Sequence, residues 1–205
     1  MFQKPALFIS YIFHPLFIPT YLMLVLFNSD SYISYSLAPS IQKLILVTVF
    51  VMTAAMPVLS SLLIYKRGII KSMTMEEQQE RAFPFLFASV YFFVCFYFLR
   101  KLPVPAFINY IILGAATSIV LAFIINFFWK ISIHMIGAGG FTGTIYALSF
   151  LIYGKFTFLL VLAFILSGLT GSARMQAGSH TNAQLYAGFL LGFFCQYFLL
   201  NYFIG

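Results

Sequence analysis

Long apolar runs separated by short polar connections make up most of the chain. Most of these runs approach or exceed the roughly 20 residues that an α-helix needs to cross a bilayer. We therefore predict an all-α fold, a polytopic membrane helix bundle with six to seven transmembrane segments. Six applies if the third or the sixth run, both of which are short, crosses only in part. The runs lie at about residues 5–28, 42–65, 84–99, 104–129, 135–153, 156–170 and 182–203.

The composition supports a single membrane domain. Of the 205 residues, 62% are hydrophobic and only 7% are charged, far outside the usual composition of soluble domains. No repeat, low-complexity tract or linker divides the chain, so we predict one integral membrane domain over residues 1–205. No signal-peptide cleavage site follows the first run, which we expect to be retained as a span.

The formal net charge of +7 would suggest nucleic-acid binding in a soluble protein. Here the basic residues lie in short connections between apolar runs, where membrane topology and lipid headgroups account for them. We therefore predict membrane lipids as partners and no nucleic acid. The sequence leaves the oligomeric state open.

Two pairs of glycines have the small-xxx-small spacing that lets membrane helices approach closely. They are Gly139 with Gly143 and Gly188 with Gly192. We predict that both pairs serve helix packing.

Three polar segments, residues 66–84, 130–140 and 172–184, fall on one side of the bundle if every run crosses. Each precedes an apolar helix and is predicted to present a helix N-terminus, whose N–H groups and dipole favour anions. With the cations of these segments, the three termini would bind a tetrahedral phosphate. Two histidines add a candidate nucleophile and a candidate general acid. The side chains concerned are Lys71, Arg81, His134, Arg174 and His180.

The spacing within these segments carries a family resemblance. Arg174 is followed after five residues by His180 and after three more by Gln184, and residues 131–134 read Ile-Ser-Ile-His, with Ser132 and His134. These stretches resemble two signature motifs of the type 2 phosphatidic acid phosphatase superfamily of membrane lipid phosphatases. The family motifs read Pro-Ser-Gly-His and Ser-Arg, five residues, His, three residues, Asp.

The remaining motif of that family is a lysine followed by Arg-Pro. It resembles Lys71 followed by Arg81, with Pro84 two residues late. The resemblance covers roughly residues 66–190 and implies the helix-bundle fold of that superfamily.

The resemblance also implies a role for each matching residue. Arg81, Arg174 and Lys71 would clamp the phosphate. His180 would attack phosphorus, and His134 would protonate the leaving alkoxide. Water would then hydrolyse the phosphohistidine.

Further implications concern cofactors, substrate and location. Ser132 and the glycines after it would supply backbone N–H groups to the phosphoryl oxygens. The mechanism needs no metal and no cofactor. The substrate would be a phosphorylated lipid carrying a phosphomonoester or pyrophosphate. Bacterial members favour an inner-membrane location with the site on the non-cytoplasmic side.

Gln184 stands where the family has an aspartate that orients the nucleophilic histidine. Its amide oxygen can accept a hydrogen bond one helical turn from His180 but brings no charge. Replacing the carboxylate of a hydrolytic triad by an amide costs about 10⁴ in turnover. The alternative to a phosphatase is therefore a catalytically degenerate relative that binds lipid phosphate as a structural, regulatory or transport component.

The loop before Arg81 offers a substitute carboxylate. Our hypothesis is that Glu76, Glu77 or Glu80, with Glu80 favoured, orients His180. The alternative is a solvated helical turn capped by Thr74.

Two other polar residues receive less specific predictions. We expect His14 to form a helix-packing hydrogen bond, and Lys130 to be an interfacial anchor, with a phosphate contact as its alternative. A zinc site is disfavoured because the sequence lacks HExxH or any close ligand pair. A transporter is disfavoured because no inverted repeat is evident.

Overall fold

The computed structural model describes residues 10–29, 32–73, 75, 77–151, 156–178 and 180–204. Within these ranges the regular structure is helical and no strand occurs. A 3₁₀ turn precedes each of α1 and α5, at Pro15–Phe17 and Gln79–Arg81, and a π-helical turn, Val51–Ala55, joins α3 to α4. The helices are α1 (Ile18–Asn28), α2 (Tyr32–Ser36), α3 (Pro39–Phe50), α4 (Met56–Lys66), α5 (Ala82–Leu99), α6 (Ala106–Ile125), α7 (Ile133–Leu151), α8 (Thr157–Gln176) and α9 (Asn182–Ile204).

Five helices of the described ranges are long and apolar enough to cross a membrane, which indicates an integral membrane protein and confirms the predicted all-α class. They are the continuous α3–α4 helix of 28 residues, α5 with its 3₁₀ turn, α6, α8 and α9. The third and sixth runs are longer than their apolar cores suggested, because helix continues over Gln79–Leu99 and Thr157–Gln176. The number of six to seven spans stays a prediction.

The helix α7 is less apolar than these five and occupies the interior of the bundle. Its glycines, threonines and His134 lower its hydropathy, and its buried residues lie on all sides of the helix. It contacts α1, α6, α8 and α9. A helix surrounded by protein does not need a lipid-compatible surface, which explains its composition.

The glycine pairs bring α7 and α9 into the most extensive helix contact of the described residues. A Cβ added at Gly139 would lie 2.0 Å from the carbonyl oxygen of Phe189, and one added at Gly192 would lie 2.0 Å from that of Ile136. Gly143 and Gly188 also face backbone atoms of the opposite helix. The prediction that these glycines serve packing is confirmed.

The main apolar core fills the half of the bundle where α5, α7 and α9 end and α3 and α6 begin. Leu99, Ile108, Leu148 and Leu200 are fully buried there, together with Ile45. The opposite half, where α5, α7 and α9 begin, contains a cavity in place of such a core. The polar segments singled out in the sequence surround that cavity.

Replacing Gly139 by alanine tests the α7–α9 contact. The added methyl has no room against the Phe189 carbonyl, so we expect the free energy of unfolding in detergent to fall by about 1–3 kcal/mol. Gly168→Ala on α8 is the matched control, because a Cβ there meets nothing within 4 Å. Thermal unfolding of both variants measures the difference, and equal melting temperatures would refute the contact.

Candidate functional site

One continuous cavity of about 640 Å³ reaches from the ends of these helices into the bundle. Its outer wall is polar and basic, and its inner wall is mostly apolar. The cationic and imidazole side chains of the outer wall are His14, Arg81, Lys130, His134, Arg174 and His180.

Two carbonyl groups hold Arg81 in place, one in the loop between α4 and α5 and one in the connection between α6 and α7. The guanidinium donates from Nε to the Met75 carbonyl at 2.9 Å and from Nη1 to the Ile131 carbonyl at 3.4 Å. Met75 adopts a left-handed φ of 47°, which costs a non-glycine residue about 1 kcal/mol or more. Gln78 and Asn126 exchange side-chain-to-carbonyl hydrogen bonds and fasten this loop to the end of α6.

Arg174 lies in the last turn of α8, where a cation interacts favourably with the helix dipole. Residues 172–176 continue α8, so the polar segment 172–184 begins inside that helix, and the helix N-terminus predicted for the segment lies at Asn182, where α9 begins. Gly178, with a φ of 64°, then ends the helix and turns the chain toward α9. The Nη1 of Arg174 donates to the Ser10 hydroxyl at 3.5 Å, and its Nε is buried without a hydrogen-bond partner.

No carboxylate of the described residues balances the charge of the two arginines. Arg81 is only 6% exposed, its charge and that of Arg174 repel each other, and no described carboxylate pairs with either. Burying unpaired charges is costly, and a bound anion offsets this cost when it accepts hydrogen bonds from the guanidinium groups. The outer part of the cavity is therefore suited to an anion with several oxygens, such as phosphate.

Gln184 fixes the orientation and tautomer of His180. Its Oε1 accepts from the backbone N–H of Thr181 at 3.1 Å, while Thr181 Oγ1 accepts from the Gln184 N–H at 3.4 Å, a capping box at the start of α9. The same Oε1 lies 3.3 Å from His180 Nδ1. Because Oε1 only accepts, Nδ1 carries the proton and Nε2 keeps its lone pair.

His134, in the first turn of α7, has the complementary arrangement. Its Nε2 lies 3.2 Å from the Ser10 carbonyl, which only accepts, so Nε2 carries the proton. Its Nδ1 is buried without a hydrogen-bond partner, on a side chain that lines the cavity. The ring of His14 meets His134 edge-on, with 5.3 Å between the centroids.

The structure places Lys71 and Ser132 differently from the other predicted site residues. The Lys71 side chain is 77% exposed and forms an ion pair with Glu77 at 3.2 Å. Ser132 is fully buried and its hydroxyl does not line the cavity. Glu80 accepts a hydrogen bond from the Lys71 backbone N–H at 2.7 Å, so this carboxylate holds the loop and does not contact His180.

Sequence reasoning missed part of the cavity wall. His14, for which we predict a packing hydrogen bond, accepts through Nδ1 from the Leu16 N–H at 3.4 Å and also lines the cavity beside His134. Ser10, which contacts both Arg174 and His134, was not singled out. The signal was the crossing count, which puts the N-terminal end of the first run on the side of the three polar segments.

Glu76 and Thr74 lie outside the described residues. Within the described part of the chain, no three histidine, cysteine or acidic side chains are placed to hold a metal ion.

The electrostatic surroundings keep His180 uncharged. Burial, followed by the charges of Arg81 and Arg174, lowers the pKa of His180 from 6.5 to about 4. A neutral imidazole with a free Nε2 lone pair is the form that attacks an electrophile.

No family model, curated protein or solved structure matches the chain.

The protonation of His180 yields a testable pH dependence. In the ligand-free protein, we expect the His180 imidazole to take up a proton with a midpoint near pH 4. NMR of histidine-labelled protein measures this midpoint, and the His180→Asn variant assigns the signal. Because the unfolded chain binds this proton near pH 6.5, the stability contribution of His180 falls as the pH drops from about 6.5 to about 4.

Two variants separate the causes of this shift. Arg81→Gln removes the larger of the two arginine effects and should move the midpoint toward 6.5. Lys71→Gln alters an exposed side chain and should leave the midpoint unchanged. A midpoint already near 6.5 in the parent protein would contradict the described environment.

Proposed function

We propose that the protein is a membrane lipid phosphate phosphatase that works through a phosphohistidine intermediate without a metal or cofactor. The observation that carries this proposal is that one cavity is lined by two arginines, neither paired with a described carboxylate, and by two histidines. His180 carries its proton on Nδ1 and His134 carries its proton on Nε2. The apolar inner wall supports a lipid as the source of the phosphate.

Phosphate binding is the role of the two guanidinium groups. Arg81 and Arg174 would take phosphoryl oxygens by charge-assisted hydrogen bonds, for which the buried Nε of Arg174 is available. Lys130 lines the same wall and would add positive charge. The bound dianion would balance the repulsion between the arginines.

His180 would perform the attack. Its Nε2 lone pair forms the N–P bond while the P–O bond to the lipid breaks. Throughout this step Nδ1–H stays hydrogen-bonded to Gln184 Oε1. The arginines stabilise the charge that develops on the phosphoryl oxygens.

His134 would act as the general acid. A bound phosphate dianion favours its protonated form, in which Nδ1–H donates a proton to the departing alkoxide oxygen. Water then attacks phosphorus and breaks the P–N bond, and its proton returns to His134 Nδ1. Inorganic phosphate is released, and both imidazoles regain their starting state.

A second candidate is lipid phosphate binding without hydrolysis, in a structural, regulatory or transport role. The observation in its favour is that Gln184 offers the imidazolium no negative charge and already serves the helix cap. The bacterial inner membrane and a non-cytoplasmic active face are further parts of the proposal, supported by the family resemblance alone.

Phosphate release from lipid phosphates tests the phosphatase. We expect the purified protein to release inorganic phosphate in the presence of a chelator, and His180→Asn to lower the rate by about 10³-fold or more. Arg174→Ala should lower it by roughly 10²–10³-fold, since a donor to the transition-state charge is lost.

Lys71→Ala is the matched control because it removes a cation outside the cavity, and the rate should be unchanged. Release that persists in His180→Asn, or that disappears with the chelator, would overturn the mechanism.

Gln184→Glu distinguishes the two candidates. Glutamate also satisfies the capping box and would add the missing charge beside His180. For a phosphatase we expect turnover to rise by about 10-fold or more, within the 10⁴ that the reverse change costs in a hydrolytic triad. For a binding protein, lipid phosphate binding would persist and no release would appear.

Gln184→Leu serves as the comparison, because it removes the acceptor for His180 together with the side-chain half of the capping box, while Thr181 Oγ1 can still cap α9. Its melting temperature reports the loss of that half of the capping box separately from activity.

A further inference from the structure

The inner end of the cavity is lined by a residue whose amide oxygen the fold leaves unsatisfied. Gln196 on α9 lines the cavity, is only 2% exposed and donates from Nε2 to the Ile111 carbonyl at 2.9 Å. Because that carbonyl only accepts, the orientation of the amide is fixed. Its Oε1 is left buried with no hydrogen-bond partner.

The helix α6 is shaped to admit this amide. A Cβ at Gly114 would lie 2.6 Å from Gln196 Oε1, so the glycine makes the space that the oxygen occupies. The Ser118 hydroxyl on the same helix donates its proton to the Gly114 carbonyl at 2.8 Å and therefore does not donate to Gln196 Oε1. Leaving a buried acceptor unpaired is unfavourable, and a donor supplied by a ligand removes that penalty.

The wall between the two polar ends is apolar. It includes Leu22, Phe92, Ile111 and Ala115. Gln196 packs beside Gly140 on α7, where an added Cβ would lie 3.8 Å from Gln196 Cγ. Gly140 follows His134 by six residues, which corresponds to about 9 Å along the helix. A ligand that reaches both ends therefore has an anionic group, an apolar chain and a distant polar group.

We propose that Gln196 Oε1 forms a second recognition site, which accepts a hydrogen bond from a hydroxyl on the chain of the ligand. The ligand is a phosphate amphiphile whose single hydrocarbon chain lies inside the bundle, with its hydroxyl about 10 Å from the phosphate. This inference rests on the proposed function for its phosphate end, and it makes Gln196 a specificity-determining residue.

Alkyl phosphates of increasing length, each with and without a terminal hydroxyl, provide the probes, with inorganic phosphate as the short reference. Their affinities are measured by calorimetry on the full chain in detergent. At the best-fitting length, the hydroxylated probe should bind about 10-fold more tightly than the plain one. In Gln196→Leu, this difference should vanish while the affinity for inorganic phosphate stays the same.

A pair of α6 variants tests the position of the chain independently of Gln196. Ala115→Phe fills the inner cavity and should weaken binding of long alkyl phosphates but not of inorganic phosphate. Ala106→Phe adds the same ring at an exposed position of the same helix and should weaken neither.

The outcomes separate the two proposals. If inorganic phosphate binds and Arg174→Ala weakens it, but neither chain nor hydroxyl adds affinity, the inner site is refuted and the phosphate site stands. If a plain chain adds affinity and its hydroxyl adds none at any length, Gln196 is not a recognition residue. If no phosphate binds to folded protein, the proposed function fails.

Discussion

The close contact between α7 and α9 is the constraint on which the candidate site depends. His134 lies in the first turn of α7, and His180 lies just before α9 begins. Since Gly139 and Gly192 leave no room for a side chain, the two backbones touch, and the start of α7 is held beside Gly188 in the second turn of α9. The geometry of the histidines is thus set by glycines that carry no chemistry of their own.

Charge burial is the second determinant, and it opposes stability. Arg81 and Arg174 are held by carbonyl and hydroxyl oxygens, which orient a guanidinium without neutralising it. Met75 even adopts a left-handed conformation in presenting its carbonyl to Arg81. Buried positive charge and a strained Met75 backbone both lower the stability of the fold. Occupation of the cavity by an anion is therefore favourable, because the anion offsets the unfavourable burial of the two guanidinium charges.

The sequence predicted the helical class and the gathering of Arg81, His134, Arg174 and His180 on one side, because hydrophobic runs and crossing counts carry that information. It could not place Lys71, whose side chain direction depends on how the loop after α4 folds back onto Glu77 and Glu80. It also ended α8 too early, since residues 172–176 are polar but favour helix.

Gln184 shows why one residue admits two functional interpretations. A single oxygen accepts from the Thr181 backbone and from His180, so helix capping and histidine orientation are coupled in one side chain. Capping needs only an acceptor, which glutamine and glutamate both supply, whereas stabilising an imidazolium needs charge. The orientation of His180 is therefore secured by the fold itself, whereas the charge that would stabilise an imidazolium is not supplied by Gln184.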